Sequence, residues 1–277
     1  MLKNKRVLIA LMLVATLTNL ALTFYSQTRQ GSRYDSSKDV ERIEKSKGRF
    51  PVADYEAAKS ADPDKRAKRA ARNDRHNNSG QGVHGGADEK ATWVAESVEY
   101  NDWETKVPQI PTEQSDVILV GEVTDANAYV SSDKNGVYSE FNVRVEQTIK
   151  NTMGSTGQLS GMVTVERAGG RVRYPSGQII WFRVSSQDMP EVGHRYVFFL
   201  KRVDEDSLSI ITGYELRDGV VHPLDEGASQ FMAYDGTDET SFLNLVRKGI
   251  NTKQSKGSAK QRLVKLVSTY CPAGFAE

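Results

Sequence analysis

From Glu140 to Lys150 apolar and polar residues alternate: Phe141, Val143, Val145 and Ile149 take one face, with Gln147 the exception. Asn142, Arg144, Glu146, Thr148 and Lys150 take the other. A period of two over this length predicts a strand with one side buried and one in water. Asp116 to Val123 is apolar on both sides and predicts a strand covered on both, with Gly121 marking a bulge or bend. Shorter strands are expected at Gly161–Glu166, Gln178–Val184, His194–Lys201, Ser207–Leu216 and Val220–Leu224. The breaks carry turn chemistry: Asp133-Lys134-Asn135-Gly136, Ala168-Gly169-Gly170, Pro175-Ser176-Gly177 and Pro190-Glu191-Val192-Gly193. At Arg217-Asp218-Gly219-Val220 the glycine supplies a positive φ for a hairpin. Short strands without crossover helices between them predict a mainly β domain, a barrel or a sandwich.

Outside that stretch the pattern changes. Val7 to Phe24 is uncharged and apolar behind Lys3, Lys5 and Arg6. A helix of that length reaches about 27 Å at 1.5 Å per residue, close to a bilayer core. Residues 1–26 therefore read as a signal anchor or signal peptide. The candidate cleavage pairs, Asn19 with Ala21 and Ala21 with Thr23, are poor, which favours an uncleaved anchor. The preceding positive charges place the bulk of the chain outside the cytoplasm, although Arg29, Arg33 and Lys38 follow the span. Secretion after cleavage is the alternative.

Residues 27–91 are polar and read as a disordered basic tether. One piece has helical composition, with Pro63 in the first turn after Asp62. Lys65, Arg66, Lys68, Arg69, Arg72 and Arg75 would circle most of it, a solvated helix or one drawn to anionic partners. Residues 92–112 hold Trp93, Val94, Val98, Tyr100, Trp103, Val107 and Ile110, an aromatic lead-in expected to lie against the β domain of 113–225. In the helical tail of 226–277, Asp238 to Gly249 predicts a helix. Asp238 or Thr240 caps it, Phe242, Leu243, Leu245 and Val246 form its apolar face, and Gly249 stops it. Ser258 to Thr269 reads as a second, basic one.

Charge divides the chain further. Thr28 to Arg75 holds 14 Lys/Arg against 9 Asp/Glu, and Glu113 to Asp225 holds 11 against 16. Polyanion binding thus belongs to the basic flanks rather than to the acidic β domain, and nucleic acid is an unfavoured partner. Cys271 is the single cysteine, which excludes an intramolecular disulfide and a paired-cysteine zinc site.

No nucleophile elbow, phosphate loop, dinucleotide fingerprint or zinc-protease motif occurs, so no catalytic residue, cofactor or metal ligand is assigned. His194 reads as a solvated turn residue at a strand start, and His222 lies between Val221 and Pro223 on the last strand. His76 and His84 lie in the tether without a frame for metal. Asp204-Glu205-Asp206 reads as a solvated turn, and the sequon Asn77-Asn78-Ser79 falls in the tether. Trp93, Trp103, Trp181 and Phe182 are the candidate ligand or partner surface.

The strands resemble bacterial extracytoplasmic domains similar to the netrin and tissue-inhibitor-of-metalloprotease barrels. Asp116 to Val123 resembles their first strand, and Val143 to Asn151 a strand ending in a Lys-Gly step with Asn151 in place of Gly. Gly169-Gly170 resembles their glycine pair, Pro190 to Leu200 the closing turn and strand, and Gly213 to Val221 the last hairpin. The resemblance runs from Asp116 to Leu224 and implies a small OB-like antiparallel barrel. Members that inhibit metalloproteases use an N-terminal cysteine, and this chain has none before Cys271. The expected function is an exported, membrane-anchored, non-enzymatic binding module, with an envelope protein or glycan as partner. The alternatives are a single-stranded nucleic-acid binder and a hydrolase built on His194 or His222.

Overall fold

The computed structural model describes residues 50–58, 60–84, 96–99, 103–152, 158–204 and 207–251. The apolar segment Val7 to Phe24, Trp93, the helix expected at Ser258–Thr269 and Cys271 lie outside them. Among the described residues no helix is long and apolar enough to cross a membrane.

These residues are mainly β and form two sheets. The elements run β1 (Val52–Asp54), α1 (Pro63–Arg75), β2 (Glu96–Glu99) and the single turn α2 (Trp103–Lys106). Then follow β3 (Val117–Val130), β4 (Val137–Asn151), β5 (Gly161–Ala168), β6 (Gly170–Arg173) and β7 (Ile179–Val184). The chain continues through β8 (Arg195–Arg202), β9 (Leu208–Arg217), β10 (Val220–Pro223), a 3-10 turn at Phe231–Tyr234 and β11 (Thr237–Asp238). A last helix, α3, covers 239–251.

The larger sheet has the order β11-β10-β9-β5-β4-β3-β8, and β9 pairs additionally with β8. All of these pairings are antiparallel except β5 with β9, which is parallel. The smaller sheet has the order β1-β6-β7-β2, with its outer strands parallel to their neighbours.

Each strand expected from periodicity forms. β3 is covered on both sides as its composition requires: Val117, Ile118, Leu119 and Val120 are all buried. The β3–β4 register shifts at Gly121. A Cβ there would stand 2.5 Å from Val143 Cγ1 and 2.7 Å from the Arg144 carbonyl oxygen, so only glycine lets the strands approach this closely. The hairpin at Asp218-Gly219 has positive φ at both residues, 55° and 79°, the geometry that matches strand twist.

Two apolar clusters flank the sheets. One joins Ile118, Val120, Val197, Phe199 and Tyr214 to Phe231 and to Phe242, Leu243 and Val246 of α3, with Trp103, Val107 and Ile110 packed against it. The other joins Ala53, Val83, Ala128, Val130 and Val137 to Val172, Tyr174, Ile180 and Phe182. Asp238 caps α3 by accepting the Ser241 amide at 2.8 Å. Two details of α3 differ from expectation: it runs past Gly249 to residue 251, and Leu245 is exposed while its three apolar companions are buried.

The largest difference concerns the tether. Over 50–58 and 60–84 the chain is ordered onto the β domain. β1 adds to the smaller sheet beside β6. Phe50 and Val83 are fully buried, and the Gln81 side chain accepts the Val137 amide at 2.7 Å. Polar composition alone argued for disorder, but these few apolar anchors and one buried amide fasten the segment at both ends. The sequon is docked as well: Asn77 accepts the Asp133 amide, and the Asn78 amide donates to Asp133.

Candidate functional site

α1 begins where Asp62 and Pro63 place it. The Asp62 carboxylate accepts the amides of Asp64 and Lys65 at 2.9 and 3.2 Å, and proline takes the first turn, where its missing N–H costs nothing. The helix carries no apolar stripe and no buried residue. Its basic residues divide by side instead. Arg69, Arg72 and Arg75, spaced by three, face the larger sheet.

Arg69 grips Glu140 with two parallel hydrogen bonds, 2.6 and 3.0 Å, and Arg72 adds a third at 3.1 Å. Arg75 bonds Glu166 at 2.9 Å and the Ser207 hydroxyl at 2.9 Å, and pairs with Asp204. The His76 ring stacks on Tyr138 with centroids 3.9 Å apart. The Arg69 guanidinium lies 3.4 Å over the Tyr129 ring and donates to the Tyr138 hydroxyl, which donates on to Asn73 at 2.8 Å. Asp204, expected in a solvated turn, is therefore part of an ion-pair cluster.

Electrostatics follow from this geometry. Burial works to lower the Arg69 pKa, but the hydrogen bond and charge of Glu140 outweigh it and raise the pKa above its ordinary value. Burial would raise the Glu166 pKa, yet His76 and Arg75 overcome that and hold it below the usual glutamate value. Tyr138 is pushed up, chiefly by burial.

Between α1, the β1 segment and the end of β3 lies an open groove of about 720 Å³. Tyr129, Ala128 and Val130 of β3 and the small residues Ala53, Ala57, Ala58 and Ala70 form its lining. Lys65, Arg66, Lys68, Arg69, Arg72 and Lys134 contribute positive charge to it and Asp54 the one negative charge among its described lining residues. Lys65 and Lys68 are exposed and form no ion pair among the described residues. The volume lies within the usual range of ~300–1,000 Å³ for small-ligand sites. A cationic rim over a lining of small apolar side chains and one tyrosine suits an anionic ligand.

Of the four aromatic residues expected as a ligand surface, Trp93 lies outside the described residues and the other three do not assemble into one. Trp181 and Phe182 are buried on opposite faces of β7: Phe50 meets the Trp181 ring edge-on at 4.9 Å, and Phe182 joins the cluster with Val172 and Ile180. Both faces of that strand are covered, which alternation within six residues does not reveal. Trp103 is half-buried, stacks on Phe231 at 5.8 Å and donates its indole N–H to the Ser185 carbonyl at 3.0 Å.

Both ring nitrogens of His194 face carboxylates, Glu215 at 2.8 Å and Glu191 at 3.2 Å, so neither is available to activate a hydroxyl. His222 pairs with Asp235 at 2.8 Å. Among the described residues no group of three or more His, Cys, Asp or Glu is placed to hold a metal.

Arg167 and Asp225 form a buried ion pair at 2.8 Å that sequence reading missed. Asp225 also accepts from Thr212 and the Asp188 amide, and Arg167 donates to the Asp188 carbonyl and to Gln187, so the pair is well satisfied and reads as scaffold. A comparison with protein families finds no match, and a search of curated proteins finds none either.

Proposed function

We propose that the chain is an exported, membrane-anchored, non-enzymatic binding module whose folded part is an OB-like barrel similar to the netrin type, and that it takes an anionic glycan in the groove beside α1. The barrel reading is supported by the pairing circuit β3-β4-β5-β9-β8 with β8 back on β3, and by the parallel β5–β9 step within it. OB-like barrels bind oligonucleotides and oligosaccharides over their second and third strands and the adjoining loops. Here those strands are β4 and β5. α1 covers their outer face and leaves the groove along its flank open.

The observation that carries the reading is that groove, lined by Tyr129 and by Lys65 and Lys68, which form no ion pair among the described residues. The apolar run Val7 to Phe24 supports export and anchoring. The carboxylates Glu140 and Glu166 on the β4–β5 face weigh against a nucleic-acid strand lying there.

Titration of the detergent-solubilised full chain with a sulfated hexasaccharide tests the proposal. It is expected to show saturable binding that K65E together with K68E weakens about tenfold or more. Absence of saturation, or equal affinity for a thymidine oligonucleotide of matched charge, would overturn the glycan reading.

A further inference from the structure

Glu140 and Glu166 are direct cross-strand partners in the β4–β5 pairing. They are 7% and 4% exposed, so two carboxylates stand side by side, desolvated, on one sheet face. Like charges directly opposite each other destabilise a sheet, and burial makes the repulsion worse. An arrangement of this kind is stable only beneath cations. Arg69, Arg72 and Arg75 supply them, at a spacing that lays three guanidinium groups along one line. Tyr138 and Tyr129 add flat faces against which His76 and Arg69 rest.

The occupant fits its seat incompletely. α1 buries no residue, and at the contact the Arg75 Nε and the His76 Nε2 are buried with no hydrogen-bond partner among the described residues; His76 Nε2 stays 3.6 Å from Glu166. The segment is instead kept close by buried anchors on either side, Ala53 before it and Val83 after it. A strap fastened at both ends re-docks at an effective concentration of about millimolar or more, whatever its own affinity.

We infer that the β4–β5 face is a docking surface for an arginine-bearing helix of a partner protein, and that α1 is the segment of this chain that holds it closed in cis. The choice of face rests on the OB-like reading, which assigns ligand binding to these two strands. The partner chemistry follows from the seat: guanidinium groups at every third position of a helix, able to form paired hydrogen bonds with two adjacent carboxylates. A partner helix that left none of its own buried donors unsatisfied against these carboxylates would displace α1.

The test uses the full chain and a fluorescent peptide of its own residues 60–79 as the probe. Wild-type protein is expected to bind the peptide weakly because α1 already fills the face. The R69Q/R72Q/R75Q variant, its seat emptied, is expected to bind it at least about tenfold more tightly. Adding E140Q and E166Q to that variant is expected to remove the gain, as is using a peptide that carries the same three glutamines. Equal binding by wild type and triple variant, or binding indifferent to E140Q and E166Q, would overturn the inference.

Should the triple variant lose its native circular dichroism, amide exchange in the unmodified chain decides. α1 amides are expected to exchange at least about tenfold faster than those of β4, and faster still in 1 M salt, through opening that leaves the sheet intact. Protection of α1 equal to that of β4 would overturn the inference. The same data test the barrel separately. Unprotected β5–β9 amides beside protected β4–β5 amides would sink the closed circuit and leave the docking face standing.

Discussion

In the larger sheet Phe141, Val143, Val165 and Phe198 are fully buried. On the outer side of the same β4 strand, α1 contributes no buried residue and is held by arginines on two glutamates. The first attachment depends on apolar area, at about 25 cal/mol per Å², and is nearly indifferent to salt and pH. The second depends on charge pairs at a partly wet boundary, which salt screens and acid neutralises. One strand thus carries a permanent layer on one side and a conditional layer on the other. The conditional layer borders the groove proposed to bind ligand.

The comparison breaks first if the sheet can be opened more easily than α1 can be undocked. R167A leaves Asp225 buried and uncompensated, and is expected to cost ~3–5 kcal/mol in chemical denaturation. G121A drives a Cβ into Val143 and the Arg144 carbonyl, and is expected to cost about 1–3 kcal/mol with a longer β3–β4 spacing. R69A removes the two-pronged grip on Glu140 and the cover of Tyr129. Its global stability is expected to fall by only about 1 kcal/mol, while proteolytic cleavage within 60–80 accelerates. K68Q touches neither layer. It is expected to leave stability within about 0.5 kcal/mol of wild type and to register only in ligand titration.

The seven expected strands were legible because each alternates or runs apolar, and because Gly and Asp mark the turns, whereas β6 and β11, of four and two residues, were not expected. Asp62 and Pro63 made the start of α1 legible too. The docking of α1 was not. A helix whose only apolar residues besides Pro63 are alanines has no large side chain to point at a sheet, so it reads as solvated. The signal that could have found it is the stripe Arg69, Arg72, Arg75 together with two glutamates, Glu140 and Glu166, set among apolar strand residues. That match is visible only once β4 and β5 are known to be paired in that register. β1 and β2 were illegible for a related reason. Three or four residues carry no periodicity, and each exists through a parallel partner more than 80 positions away. The burial of Trp181 and Phe182 was illegible because their strand is covered by layers on both sides.

The most direct measurement is the distance between spin labels on α1 and β3, at A71C and N127C in a C271S background, followed as the pH falls from 7 to 3. Glu166 has a folded-state pKa below its ordinary 4.5, so its contribution to docking is complete above that pH and is lost as the pH drops through the lower folded value. The account predicts that the labels separate in acid while the near-ultraviolet signal of the buried aromatic residues still reports an intact core. A single coincident transition, with α1 leaving only when the sheet itself unfolds, would contradict it.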